Sequence, residues 1–323
     1  MLELLLAAAL TTGSVENFCI ISAEEKGTGI AVLRPNGSLV ARVPVGKWPH
    51  EVEVSPDGAT AYVSQFGITD YDSRIGTPGD HVSRIDLATA RETGRFLLPP
   101  SFRAPHGVKL RPGAPELFVN AEADIDTMLV YNRKTRRLLR TFRLDKGSHN
   151  FLFSPDGRFV FVFAGIGGVA KYDAMTGKQL TKRKLKTPVR GLRLAGAKVI
   201  AAAGKGEVTL LDIGTLEVKA RLASPVAGQL VYLETLADGT IIAPSIADDG
   251  VVWFAAGKDA RFIPTGKGAL NVRLAPDGSL YVANVDDDHL TILSSSGQVA
   301  GQIGRGIEGP NGLAFGMCPG PNH

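Results

Sequence analysis

The chain is expected to be all-β: one seven-bladed β-propeller whose N- and C-terminal strands close a shared blade. Three observations carry this expectation. A strand-sized motif recurs seven times, its period is nearly constant, and the two ends of the chain hold complementary parts of one repeat.

The motif is a residue, usually polar, followed by an alternating apolar strand that often ends in Pro-Asp-Gly. It reads His50-Glu-Val-Glu-Val-Ser-Pro-Asp-Gly58, His106-Gly-Val-Lys-Leu-Arg-Pro-Gly113 and His149-Asn-Phe-Leu-Phe-Ser-Pro-Asp-Gly157. It continues as Arg190-Gly-Leu-Arg-Leu194, Gln229-Leu-Val-Tyr-Leu233, Leu270-Asn-Val-Arg-Leu-Ala-Pro-Asp-Gly278 and Asn311-Gly-Leu-Ala-Phe315, with the Gln229 register the least well defined. The first residues are 56, 43, 41, 39, 41 and 41 apart. A period near 40–45 residues is that of a four-stranded propeller blade. The long first spacing places an insertion in one loop.

Each repeat continues in the same way. A second strand follows, such as Ala61-Tyr-Val-Ser64, Leu117-Phe-Val-Asn120 or Phe159-Val-Phe-Val-Phe163. A third follows a polar loop, as in His81 to Asp86 and His289 to Leu293, and a turn leads to a fourth, as in Leu138 to Leu144. Period-two alternation with turn residues between runs is the strand signature.

The ends fit each other. Asn311 to Phe315 is a first strand with nothing after it. Phe18 to Glu24, Gly29 to Leu33 and Ser38 to Val45 are second, third and fourth strands with nothing before them. Joined, they make one blade and hide the sheet edges that an open array would expose. Consecutive strands turn over at one end, so Cys19 and Cys318, the only two cysteines, are expected to lie together. A disulfide tying the circle shut and a pair of partly buried thiols both fit. The bond would favour an oxidising compartment.

The expected domain is 17–318, with an apolar segment over 1–16 and a short tail over 319–323. Leu4 to Leu10 is apolar and followed by small residues, but Glu3 stands where a signal peptide carries basic charge. A degraded signal and a short helix both fit, and so do exported and cytoplasmic locations. No apolar run is long enough to span a bilayer. With 44% hydrophobic and 21% charged residues the composition is globular. The net charge is +4. The basic runs Arg133, Lys134, Arg136, Arg137 and Lys182, Arg183, Lys184 fall at strand turns, which argues for solvated edges rather than a nucleic-acid surface.

The stretch from Val43 to Ser64, with its Trp-Pro-His and Ser-Pro-Asp-Gly, resembles the YVTN β-propeller repeat family, as does Pro276-Asp-Gly-Ser-Leu-Tyr-Val-Ala-Asn284. The resemblance extends over nearly the whole chain and to the related lactonase-like seven-bladed propellers. It implies the fold. For function it implies only a range, because such relatives include hydrolases, cycloisomerases, lyases, cofactor binders and scaffolds.

In a propeller the first strand of every blade lines the central channel. His50, His106, His149, Arg190, Gln229 and Asn311 should therefore ring one mouth, with Leu270 and its neighbour Asn271 completing the circle. The loop 65–80, which carries the insertion, should overhang this mouth and offer Phe66, Tyr71 and Arg74, and the next blade's loop offers Glu122. Gln229, Asn271, Asn311, Phe66, Tyr71, Arg74 and Glu122 are the candidate substrate contacts.

Two chemistries suit this ring. One is acid–base catalysis, with His149 moving a proton, Arg190 stabilising negative charge on an oxygen, and His50 and His106 beside them. Resemblance to the cycloisomerases and lactonases implies His and Arg around the channel in the same way. The other is a divalent or transition metal held by His50, His106 and His149, completed by Glu122, Asp124 or Asp126. Against both stands a structural role for Pro-His in the repeat itself. His81, His289 and the turn residues Asp57, Asp156, Asp238 and Asp277 read as structural, and Asp286 to Asp288 as a solvated loop. No P-loop, dinucleotide fingerprint or Gly-x-Ser-x-Gly elbow is present. The expected function is a small-molecule enzyme of hydrolase, lactonase/cycloisomerase or lyase type acting on an anionic substrate. A scaffold for a protein or carbohydrate partner is the alternative.

Overall fold

The computed structural model describes residues 18–68, 75–123 and 125–320. Among these residues 28 strands form seven four-stranded antiparallel sheets. Blades 1 to 6 run in chain order over 49–97, 103–143, 150–183, 191–223, 234–264 and 269–303. Blade 7 is the shared one. Its inner strand, Pro310–Met317, pairs with Phe18–Glu24 in the register Ile20 to Phe315 and Ile21 to Ala314. The remaining strands are Gly29–Leu33 and Leu39–Pro44.

The core is distributed. Each of seven apolar clusters lies between two adjacent blades. Leu117 and Val119 pack with Val82 and Phe96 of blade 1, while Phe118 between them packs with Phe151 and Val160 of blade 3. The period-two side-chain rule splits one strand between two cores. The middle strands therefore carry apolar residues at consecutive positions, as in Phe159–Phe163 and Val199–Ala203.

The Asp-Gly turns repeat one bond. The side chains of Asp57, Asp156, Asp238 and Asp277 accept the backbone N–H of Ala59, Arg158, Thr240 and Ser279 at 3.1, 3.0, 2.9 and 2.9 Å. The Ser55 and Ser154 hydroxyls hold the Asp57 and Asp156 carboxyls below the usual carboxylate range. Equivalent bonds from Ser55 N, Ser154 N and Leu236 N to the far side of the turn fix the common register. That register gives Val231, not Gln229, the position equivalent to His50, because Glu234 pairs with Ile242 and Leu233 fills the position of Val52.

Cys19 and Cys318 form a disulfide with their Cα atoms 4.9 Å apart. The segment 1–16 lies outside the described residues. Among the described residues no helix is long and apolar enough to cross a membrane.

Candidate functional site

The mouth ring consists of His50, His106, His149, Arg190, Val231, Leu270 and Asn311. A recurrent backbone device sets it. Two residues before the ring position the chain turns left-handed, at Trp48, Ala104, Gly147, Gly268 and Gly309. Four of the inner strands also carry a bulge at this end, between Pro49 and Val52, Pro105 and Val108, Ala269 and Asn271, and opposite Ser22 and Glu24. A bulge bends its strand and re-aims the side chains beside it.

The result is a stack of imidazoles. The rings of His50 and His106 are 3.9 Å apart and those of His106 and His149 are 4.0 Å apart. Carboxylates flank the stack. Glu122 Oε1 is 3.3 Å from His149 Nδ1 and 3.7 Å from His106 Nδ1. Glu51 Oε1 is 4.0 Å from His50 Nδ1. At the far end His50 Nε2 is 3.1 Å from Asn311 Nδ2, which donates to Glu25 at 2.8 Å.

Exposure divides the stack. His50 and His106 are buried beneath Phe66, whose ring lies 5.4 and 5.1 Å from theirs. The His149 side chain is 12% exposed and forms part of the wall of an open pocket of about 1380 Å³. Glu122, Phe66, Ile68, Arg143, Lys146, Lys182, Lys184 and Arg190 line the same pocket. Five cations thus face two carboxylates, Glu122 and Asp126. Arg143, Lys146, Lys184 and Arg190 form no ion pair among the described residues, while Lys182 reaches Asp145 at 3.0 Å. The surplus positive charge attracts anions. Burial pushes the Asp126 carboxyl upward, and it accepts the Gly147 N–H at 3.1 Å.

Of the expected contacts, His149, Arg190, Glu122 and Phe66 meet in this pocket. Gln229 does not; its amide donates to Pro188 O and Leu230 O at 3.2 and 2.8 Å. Asn311 is tied into the stack. Asn271 is buried one layer deeper and reaches neither cavity of the channel. Tyr71, Arg74 and Asp124 lie outside the described residues. His81 and His289 bond to the backbone oxygens of Val45 and Thr265 at 3.1 and 3.2 Å.

Sequence reasoning misses Lys182 and Lys184. Their run reads as a solvated edge, yet the edge of blade 3 borders the pocket. It also misses the residues that share Asn271's layer below the ring: Glu51, Gly107, Asn150, Gly191, Tyr232 and Gly312. Three glycines let neighbouring blades close up there. A Cβ on Gly312 would lie 2.4 Å from His50 O and one on Gly191 2.6 Å from Tyr232 N. Asn150 Nδ2 donates to Glu51 Oε1 at 2.8 Å across blades. This waist separates the mouth pocket from a second cavity below, and the two share no lining residue.

A protein-family model described as outer membrane protein assembly factor BamB matches residues 167–303. No curated protein matches the chain. Among solved structures, the chain is similar to Kuenenia stuttgartiensis hydrazine synthase, with TM-score 0.74, 17% identity, and 92% of this chain and 100% of that chain covered. A functionally unknown protein from Desulfotomaculum acetoxidans DSM 771 gives 0.70 at 13% identity, covering 94% and 99%. Dihydro-heme d1 dehydrogenase NirN in complex with DHE gives 0.67 at 12% identity, covering 93% and 75%. At these identities the likeness is one of fold, and the family model that matches is of BamB type rather than YVTN type.

Proposed function

We propose that the chain binds a small anionic molecule in the mouth pocket and moves a proton on it. His149 is the proton carrier, Glu122 orients and charges it, and Arg190 faces the oxygen on which negative charge develops. The single observation behind this reading is the His149 Nδ1–Glu122 Oε1 pair, 3.3 Å apart, in the wall of a cation-lined pocket. A carboxylate behind one ring nitrogen favours the tautomer with its proton on that side and stabilises the imidazolium when the other nitrogen accepts a proton. A guanidinium in the same wall offers planar, bidentate recognition of a carboxylate. Hydrolysis, lactonisation and elimination all need this proton transfer, and the lactonase-like resemblance favours these classes. Hydrazine synthase and dihydro-heme d1 dehydrogenase are enzymes by name, which is in keeping with catalysis on this architecture.

The test is turnover on a panel of small lactones and hydroxycarboxylates. His149→Ala and Arg190→Ala should each remove activity on any substrate found, with the unfolding midpoint within a few degrees of the parent. Glu122→Gln should lower kcat by about 100-fold or more with little change in KM, the range for losing general acid–base support. Activity surviving both His149→Ala and Arg190→Ala would refute the assignment.

A metal reading is favoured by a specific geometry: ligand atoms of His106, Glu122 and His149 all lie within 4.8 Å of one another. A transition ion there would polarise a bound oxygen. Stoichiometric metal in protein purified without a histidine tag, lost in His106→Ala, would promote it. The scaffold alternative draws on the partial match to an assembly-factor family. It predicts that no small anion protects the mouth residues from chemical modification.

A further inference from the structure

Below the waist the channel opens again into a cavity of about 430 Å³. Its walls repeat a single position of the motif, three residues after the mouth ring. That position is Glu53 in blade 1, Lys109 in blade 2, Arg193 in blade 4, Glu234 in blade 5 and Arg273 in blade 6. Three cations and two carboxylates therefore face one small volume. The carboxylates are occupied. Glu234 binds Arg193 at 2.6 Å and accepts the Leu274 N–H at 3.3 Å. Glu53 accepts the Leu110 N–H at 3.2 Å. Lys109 and Arg273 make no hydrogen bond or contact ion pair among the described residues.

The next position outward is apolar in six of the seven blades, and Val54, Phe153, Leu194, Leu274 and Phe315 collar the opening. The collar admits solvent, since the Arg193 side chain is 39% exposed and Leu274 is 38% exposed. A cationic floor under an apolar collar matches one ligand shape: an anionic head with an apolar tail. Lys109 and Arg273 are half-buried and, among the described residues, neither touches a carboxylate, so an anion brought in with the ligand would supply the partner they lack. Burial lowers the Lys109 ammonium and raises the Glu53 carboxyl, with each charge opposing the other's shift, so the two groups share one poorly solvated space.

We propose that this lower cavity is a second ligand site, which takes a small amphiphilic carboxylate with its head between Lys109 and Arg273 and its aryl or alkyl tail in the collar. The site is independent of the mouth pocket, from which the waist separates it.

The probe is 4-phenylbutyrate, titrated calorimetrically into the full chain, with 4-phenylbutanol as the uncharged control. One molecule should bind per chain, and the alcohol should bind at least about tenfold more weakly, as expected for loss of charge-assisted hydrogen bonds. Arg273→Gln should weaken the acid by a similar factor. Leu274→Trp plugs the collar without touching any charge and should weaken it as well, which guards against a folding defect in Arg273→Gln. Arg190→Ala, in the other pocket, should leave the affinity unchanged. Equal binding of acid and alcohol, no binding of the acid, or loss in Arg190→Ala with retention in Arg273→Gln would each overturn the proposal.

Discussion

At the scale of single residues, exposure rather than residue type separates the histidines. His50, His106 and His149 occupy equivalent places, yet Phe66 covers the first two and leaves the third in the pocket wall. The residue types were legible in the sequence because the repeat fixes their place. The covering was not, because it depends on how an inserted loop folds back. A second buried acid gives a sharper test of residue-level electrostatics. Glu24, in the shared blade, is 1% exposed and pairs with Arg42. Burial raises its carboxyl from 4.5 to about 7, with Arg42 opposing the rise. The folded chain thus holds a proton that the unfolded chain releases near pH 4.5. Its contribution to stability is full below that pH and is lost as pH climbs towards 7. Glu24→Gln should remove this slope. The gap in unfolding free energy between pH 5 and pH 8 should shrink by up to about 3 kcal/mol relative to the parent, because each tenfold change in proton affinity is worth about 1.36 kcal/mol. An unchanged gap in denaturant titrations at the two pH values would place the Glu24 carboxyl at its ordinary value.

At the scale of elements, the inner strand is the unit that builds both sites. Its residues serve in sequence as mouth ring, waist, interblade core, channel wall and collar. Much of this was open to reading by stacking the repeats. Glu53, Lys109, Arg193 and Arg273 share one column of the motif, and the charge in that column is visible without a structure. Glu234 was hidden by a two-residue slip in blade 5, where a polar Gln229 looked a better match than Val231. The turn Asp238-Gly239 held the correction, since counting back from it as from Asp57-Gly58 leads to Val231. The close approach at the waist was not legible, because a glycine in a strand gives no sign of what lies against it. It yields a prediction for the element. At Gly312 a methyl group would meet the backbone of the neighbouring strand: His50 O at 2.4 Å, Glu51 Cα at 2.9 Å and Val52 N at 2.9 Å. Gly312→Ala should cost about 1–3 kcal/mol as blades 7 and 1 move apart. Gly320→Ala, with nothing within 4 Å of the added methyl, should be neutral in the same thermal unfolding measurement.

At the scale of the molecule, no blade has a core of its own among the described residues. Every apolar cluster needs the next blade round, so removing one blade exposes a face on each of its neighbours. The circle must close somewhere, and it closes on blade 7, where one strand comes from the C-terminal end and three from the N-terminal end. The hydrogen bonds between Phe18–Glu24 and Pro310–Met317 hold that seam, and the Cys19–Cys318 bond locks it at the end where Phe18 pairs with Met317. The bond spans a sequence separation of 299. A cross-link over so long a loop removes much of the unfolded chain's freedom, for which entropy models give roughly 5–6 kcal/mol. Real bonds often deliver less, since the unfolded chain keeps some structure. Cys318→Ser should therefore lower the thermal midpoint by about 5–10 °C, at roughly 2 °C per kcal/mol for a chain of this size. The loss should begin at the seam. Amide exchange in Phe18–Glu24 should rise well before exchange in blades 3 and 4, because the strand pairing there must hold without its covalent lock. Uniform loss of protection across all seven blades would show instead that the ring opens as one cooperative unit, with no weak point at its closure.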